Sequence, residues 1–412
     1  MQAYNRETGR KTRPHPTDPE DKNIMPKAYL KPTKERRVEM GHPWIFRSDI
    51  DRVETSAKPG DVVDLHAARG KFLGRAYYNP ASMITLRMLT REDEPIDRDF
   101  FYARVQRAYD YRKNFCDLNS CRLIYGESDF LPALIVDKFA DICVMQSLAL
   151  GIDRYKDILC DAIMDITGCR GIYERNDVPV RELEGLPQQT GFLRGEFPTT
   201  VEMEENGIKF LVDVAHGQKT GFFLDQKENR ASLAPLVRGR EVLDCFTHTG
   251  SFALHAAKYG ASHVTGVDIS EDACAIARRN AELNGLNNVE FVAENAFDLL
   301  RRSYDEKKHY DVIILDPPAF TKTRQALSGA LRGYKEINLR AMKMLPKGGY
   351  LVTCSCSQHV SPEAFTDMLL DAARDAHRQL RLIESRTQGK DHPILLAAPE
   401  TRYLKFMVFQ VF

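Results

Sequence analysis

Five short apolar runs after Val201, each closing on or beside a polar residue, constrain the fold of this chain more than any other feature of its 412 residues. They are Glu241-Val242-Leu243-Asp244-Cys245-Phe246, His263-Val264-Thr265-Gly266-Val267-Asp268, Val289-Glu290-Phe291-Val292, Tyr310-Asp311-Val312-Ile313-Ile314-Leu315-Asp316 and Gly349-Tyr350-Leu351-Val352-Thr353-Cys354-Ser355. Helical patterns over 251–259 and 271–284 separate the first three. Strand and helix in alternation require a parallel sheet with helices on its faces. This predicts an α/β Rossmann-like domain over 201–412, with a strand at 209–213 before it and an apolar strand at 402–411 closing it.

The chain ahead of Val201 reads differently. Residues 1–25 are polar and Pro-rich, too poor in apolar side chains to offset the cost of ordering, and are expected to be disordered. From 26 to 97, strand-like runs at 62–66, 72–78 and 84–89, broken by turn signals such as Lys58-Pro59-Gly60-Asp61, predict a β-rich module. From 98 to 200, a helix at 99–114, strands at 133–137, 142–147 and 171–174, and a helix at 152–166 predict a small α+β domain. A weakly marked linker at 191–200 follows it. No internal repeat is evident.

Hydrophobic residues at 43% and charged residues at 28% are those of a soluble globular protein. Lys+Arg 58 against Asp+Glu 58 leaves no net charge, but the first 47 residues hold eleven basic against six acidic side chains. The nine cysteines are irregularly spaced, which fits free thiols in a reducing compartment. With a polar start and no apolar run of membrane-spanning length, a cytoplasmic location and no membrane partner are expected.

Ligands of open α/β sheets sit beyond the carboxyl ends of the strands. Three such ends carry polar groups in succession: Asp244, then Asp268, where a carboxylate can accept from a ribose diol, then Glu294-Asn295-Ala296-Phe297, where an adenine can be held. Either Asp alone would more often be a loop or helix-capping residue; their spacing in one β-α-β unit argues for a site. A dinucleotide would need Gly-x-Gly-x-x-Gly, and only Gly250 is present. A cofactor without phosphates has no such need, which favours S-adenosylmethionine.

These residues resemble a known family. Asp244-Cys245-Phe246-Thr247-His248-Thr249-Gly250-Ser251-Phe252, Gly266-Val267-Asp268-Ile269-Ser270 and Asp316-Pro317-Pro318-Ala319-Phe320 are similar to class I methyltransferases acting on ribosomal RNA. The run from Gly217-Gln218-Lys219-Thr220-Gly221-Phe222-Phe223-Leu224-Asp225-Gln226 to Arg230 resembles the segment before motif I in bacterial 23S ribosomal RNA cytosine-C5 methyltransferases. In that family a PUA domain and a small α+β domain precede the catalytic domain. Arg36-Arg37-Val38-Glu39-Met40-Gly41-His42-Pro43-Trp44 is similar to the PUA opening, and Gly126-Glu127-Ser128-Asp129-Phe130-Leu131-Pro132 to the middle-domain signature. The resemblance implies a cofactor site of Phe223, Asp225, Gln226, Asp244, Phe246, Thr249, Gly250, Asp268, Ile269, Asn295, Ala296 and Asp316. Asn295 departs from the family, which more usually has Asp there. The resemblance also implies a homodimer, for which no signal is legible in the sequence.

Carbon 5 of cytosine is a poor nucleophile, so such enzymes add a thiolate to carbon 6 first. Asp316 is expected to hold the protonated N3 and the amino group. Cys354 and Cys356 compete for the thiolate role, and the family's Ser-Cys-Ser motif selects Cys356. A lone cysteine is more often a small buried hydrophobe, but a pair beyond a strand end next to Asp-Pro-Pro reverses those odds. No metal site is expected, since a lone Cys-x-Cys lacks further ligands. Asp-Pro-Pro-aromatic also marks amino-methyltransferases, which need no cysteine, and an inactive RNA-binding assembly factor is a further alternative.

Ribosomal RNA of the large subunit is the expected partner. Lys34, Arg36 and Arg37, with Lys27, Lys31 and Arg47, are candidate phosphate contacts. Pro317, Phe320 and Tyr334 are candidates around the extruded base, with Lys335 and Asn338 beside them. Trp44 is read as core of the β-rich module in preference to a stacking platform.

Overall fold

The computed structural model describes residues 25–412 apart from Lys322; the tail expected to be disordered lies outside the described residues except for Met25. The N-terminal part is a six-stranded sheet in the order Trp44–Ile45, Leu86–Thr90, Phe72–Tyr78, Val62–His66, Lys27–Leu30, Ile50–Val53. Alternate residues Val63 and Leu65 of Val62–His66 close its small core with Leu73 and Ala76 of Phe72–Tyr78, where an irregularity at Arg75/Ala76 breaks the alternation. A five-stranded sheet follows in the order Thr190–Arg194, Gly171–Arg175, Ile142–Ser147, Leu134–Phe139, Ser120–Tyr125, packed against the helices Arg98–Phe115 and Lys156–Thr167. An antiparallel hairpin, Thr200–Glu205 with Ile208–Asp213, leads into the last part.

There the sheet has seven strands: β1 (Glu241–Cys245), β2 (His263–Asp268), β3 (Val289–Ala293), β4 (Val312–Leu315), β5 (Tyr350–Ser355), β6 (Leu380–Arg386) and β7 (Lys405–Val411). Their order is β3-β2-β1-β4-β5-β7-β6, with the first five parallel and β7 antiparallel to both neighbours. Chain order reverses between β1 and β4, and a crevice opens there. All four residues of β4 are buried, as a central strand with helices on both sides demands. Val312 and Ile314 feed one core, with helices α1 (Ser251–Lys258) and α2 (Glu271–Leu283) and the hairpin. Ile313 and Leu315 feed the other, with α3 (Ala296–Asp305), α4 (Leu327–Met344) and α5 (Pro362–Ala376).

Local chemistry sets the helix starts. Ser270 caps α2 by accepting from the Ala273 N–H, and Glu271 and Asp272 lie in its first turn. Ser361 caps α5, with Pro362 at the first helical position.

Several expectations are corrected. The stretch 191–200, read as a linker, begins inside the edge strand Thr190–Arg194, whose polar residues pair with Gly171–Arg175. The helix expected at 152–166 is broken at Arg154 and Tyr155 into Leu150–Asp153 and Lys156–Thr167. Ser120–Tyr125 was invisible as a strand because Arg122 sits in it. That guanidinium is neutralised by both carboxylate oxygens of Asp137 at 2.8 Å. Trp44 is half-buried and is not core: its indole N–H donates at 2.8 Å to Glu127, in the turn Gly126–Asp129 between two strands of the middle sheet, so the residue ties two parts of the chain together.

Arg230 is buried and gives two hydrogen bonds to the buried Glu205 of the hairpin, at 2.6 and 2.9 Å, and a third to the Phe223 carbonyl at 2.7 Å. Removing one partner of such a pair strands a charge away from water. Glu205→Ala is expected to cost about 3–5 kcal/mol of stability. Replacing both residues by Met should cost clearly less. Chemical denaturation of the three chains checks this.

Candidate active site

The crevice at the strand reversal is a cavity of about 340 Å³. The segment before β1 forms one wall, with Lys219, Phe223, Asp225 and Gln226; the ends of β1, β2 and β3 form the second, and Asp316 to Phe320 with Cys356 the third.

The loop leaving β1 has a backbone that its side chains disfavour. Phe246 (φ 67°), His248 (φ 53°) and Gly250 (φ 86°) are all left-handed, at alternate positions. Glycine is the ordinary occupant of such positions, so the absence of a glycine pattern did not mean the absence of the turn. The Phe246 ring is set edge-on to Phe297 and Phe320, 6.4 Å from each, and the His248 ring edge-on to Phe223 at 5.3 Å. Gly250 itself is a packing residue: a Cβ there would lie 2.9 Å from Phe291 and 3.1 Å from Ala277.

Asp244 does not line the cavity. Its Oδ2 accepts from the Thr247 hydroxyl at 2.6 Å and from the Ala253 N–H at 2.9 Å, tying the loop to α1. Its Oδ1 is buried with no partner among the described residues. Burial, opposed by the Thr247 hydrogen bond and reinforced by the Asp316 charge, raises this carboxyl to about 7. Thr249 is also buried below the surface, its carbonyl held by Asn280 at 3.1 Å.

Asp268 lines the cavity and accepts from the backbone N–H groups of His248 at 2.9 Å and Ser270 at 3.0 Å. Each oxygen keeps a second lone pair for a ligand hydroxyl. Ile269 beside it is 74% exposed, and with Ala296 and Phe297 it edges an apolar slot. Asn295 caps α3 by accepting from the Phe297 N–H at 2.9 Å. Asn caps a helix as well as Asp does, so the departure at this position leaves the local structure intact.

At the third wall, Asp316 Oδ1 accepts from the Gln226 amide at 3.0 Å. Burial and the neighbouring Asp225 charge raise its carboxyl to about 7, against the pull of Arg230. Cys354 is wholly buried in β5, whereas Cys356 is half-buried and lines the cavity, its Sγ 3.9 Å from the Pro317 carbonyl. Burial and the Asp316 charge push the Cys356 thiol up to about 11, with Lys219 and Lys405 pulling the other way. Asp225 accepts from the Tyr403 hydroxyl. Burial alone would raise its carboxyl, but Lys219, His392 and the Tyr403 hydrogen bond hold it below its usual value.

Of the residues singled out in the sequence, Phe223, Asp225, Gln226, Phe246, Asp268, Ile269, Asn295, Ala296, Asp316, Pro317, Phe320 and Cys356 meet in this one cavity. Tyr334 does not. It is fully buried behind Phe320, with ring centroids 4.6 Å apart and its hydroxyl 3.0 Å from Ser357 Oγ. Lys335 pairs with Asp375 at 2.7 Å, and Asn338 is buried against the Tyr334 carbonyl. On the N-terminal sheet, Lys34 pairs with Asp49 at 3.0 Å and Arg37 lies between His42 and Glu400, leaving Arg36 exposed. Lys219, Arg230 and His248 also line the cavity and were missed, although all lie inside the motifs read, as was Leu404, which lies outside them; Phe297, in the segment read as an adenine site, lines it too.

A nucleotide phosphate would meet Asp225, Asp268 and Asp316 here, while Arg230 is already paired with Glu205. The Asp225 carboxylate, held below its usual value, suits a ligand carrying positive charge, and Asp268 with the Ile269–Phe297 slot suits an adenosine; both are features of S-adenosylmethionine.

A carboxyl that is raised in the folded chain stabilises the fold below its unfolded value of 3.8, and for Asp244 that contribution drains away as pH rises to about 7. The gap in thermal midpoint between the unaltered chain and Asp244→Asn should narrow as pH is raised from about 5 to about 8. Melting curves of the cofactor-free proteins measure it.

Comparison with known proteins points to the same cofactor. A PUA-like domain model matches residues 28–91, and an S-adenosylmethionine-dependent methyltransferase model matches residues 186–407. The chain is 45% identical over 392 residues to ribosomal RNA large subunit methyltransferase I of Shewanella denitrificans, covering 93% of this chain and 98% of that protein. It is 42% identical over 390 residues to the protein of the same name from Vibrio cholerae, with the same coverage. In fold it is similar to a putative S-adenosylmethionine-dependent methyltransferase from Streptococcus mutans, with a TM-score of 0.80 at 22% identity, covering 94% of this chain and 100% of that one. A second solved structure with the same score is a putative methyltransferase complexed with S-adenosylhomocysteine. The chain therefore belongs to the S-adenosylmethionine-dependent methyltransferases of the ribosomal RNA large subunit methyltransferase I family, with a PUA-like domain ahead of its catalytic domain.

Proposed function

We propose that this protein methylates carbon 5 of a cytosine in large-subunit ribosomal RNA, with Cys356 as nucleophile and Asp316 as acid. The observation that carries the reading is the contrast between the two cysteines: Cys356 lines the cavity on the same wall as Asp316, and Cys354 is sealed in β5. Ribosomal RNA as substrate rests on the relatives' names, and a PUA-like domain suits an RNA ligand.

Bound S-adenosylmethionine supplies an electrophilic methyl group. Asp268 is assigned to the ribose, Ile269, Ala296 and Phe297 to the adenine, and Phe223, Asp225 and Gln226 to the methionine end. Asp244, Thr249 and Gly250 shape the loop from beneath. The Cys356 thiol loses its proton to solvent, and Sγ bonds to carbon 6 of the extruded base. A carboxyl raised to about 7 still holds a proton near neutral pH, so Asp316 can give it to N3 as that bond forms. Carbon 5, now enamine-like, would take the methyl as the bond between that methyl and the sulfonium sulfur breaks, its electron pair staying on sulfur to leave a neutral thioether. Loss of its proton to a base then restores the double bond as the Sγ–C6 bond breaks, releasing thiolate, and N3 returns its proton to Asp316. Phe320, braced by Tyr334, is placed to stack on the base, and Pro317-Pro318 holds the turn extended.

Cys356→Ala should abolish turnover and the covalent adduct with 5-fluorocytosine RNA, while Cys354→Ala still forms the adduct. Asp316→Asn should slow turnover by about 10²–10⁴. Gel-shift trapping and mass-spectrometric mapping of the product base check these outcomes. Undiminished turnover in Cys356→Ala would overturn the reading and point to methylation of an exocyclic amine.

A further inference from the structure

Lys405 is a cation without an ordinary reason to be buried. It opens β7, which runs antiparallel to β5 and pairs Ser355 with Lys405. Its side chain is 6% exposed, and its ammonium donates to the Ser357 carbonyl at 2.7 Å and the Tyr403 carbonyl at 2.8 Å. No carboxylate pairs with it among the described residues, unlike Arg112, Arg122, Arg181 and Arg230, each of which has one. A buried charge is costly unless it is paired. An ammonium has three N–H donors, and the two carbonyls engage two of them.

The residue it braces is the neighbour of Cys356. We infer that Lys405 is the counter-charge for the Cys356 thiolate, a positioning residue that holds the turn after β5 in place and stabilises the negative sulfur. The inference rests on Cys356 being the reactive thiol.

The other charged and titratable groups facing that sulfur argue for the need. Asp316 at the end of β4 and Asp225 on the first wall both oppose a thiolate, Cys354 and Tyr334 are neutral neighbours, and Lys219 is a solvent-exposed cation on the open side. Of these groups among the described residues, Lys405 is the cation that is buried. Burial and the Arg402 charge lower its own value to about 8 while Cys356 opposes them, so near neutral pH it is still largely protonated.

The test is the pH dependence of iodoacetamide alkylation at Cys356 in the full chain without RNA or cofactor, read peptide by peptide in a mass spectrometer, with the half-buried Cys116 as internal reference. Lys405→Gln keeps hydrogen-bond donors without the charge, and Lys405→Arg keeps the charge. Near neutral pH, where Lys405 keeps its proton, the Gln variant should slow Cys356 alkylation about tenfold, while the Arg variant stays close to the unaltered protein. Cys116 should keep its rate in both. An unchanged Cys356 rate near neutral pH in the Gln variant would overturn the inference, as would an equal slowing at Cys116. Because no methyl transfer is measured, a slowed thiol in a protein whose Cys356→Ala variant remains active would uphold Lys405 and sink the proposed chemistry separately.

Discussion

The contact on which the site most depends is the buried pair of Arg230 and Glu205. Arg230 also holds the Phe223 carbonyl, so one guanidinium joins the hairpin to the wall that carries Phe223, Asp225 and Gln226. The same segment is fastened from the middle sheet, where Thr220 donates to Asp137 at 2.6 Å while Asp137 is clasped by Arg122. It is fastened from the segment just before β7 by Tyr403, which donates to Asp225. The first wall is thus held by side chains from three sheets or hairpins, through charges whose partners cannot be removed singly without stranding a charge.

That arrangement sets the electrostatics of the cavity. Asp225 is kept ionised by Lys219 and its hydrogen bonds, and its charge helps push Asp316 up. Two carboxylates in one crevice separate into one that stays charged and one that holds a proton near neutral pH, which is the division that binding a cation and protonating a base would require. The cost falls on Cys356, whose thiol is raised by burial and by Asp316. Two lysines, Lys219 and Lys405, oppose that.

Much of the catalytic domain was legible because its strands are buried on both faces. Runs such as Val312-Ile313-Ile314-Leu315 have few alternatives to a central parallel strand, and polar residues at their ends stand out against them. Edge elements were not legible. Thr190–Arg194 and Leu380–Arg386 are polar or mixed because one side faces solvent, and Ser120–Tyr125 hides an arginine whose partner is fifteen residues away. Phe246 and His248 concealed a tight turn, since the residues there contradict the conformation they adopt.

The sequence by itself determined the parallel sheet, the cofactor class and the identity of most cavity-lining residues, because motif residues at strand ends are brought together by the topology whatever the loops do. Only the tertiary structure decided which of two cysteines two residues apart faces the cavity, because a strand ends between them and exposure changes at that point. It also put Tyr334 behind Phe320 and off the cavity, paired Arg37 with Glu400, and brought Lys405 beside the site. Those placements depend on partners such as Ser357 and Glu400, which lie 23 and 363 residues away, and no local pattern encodes such distant pairings.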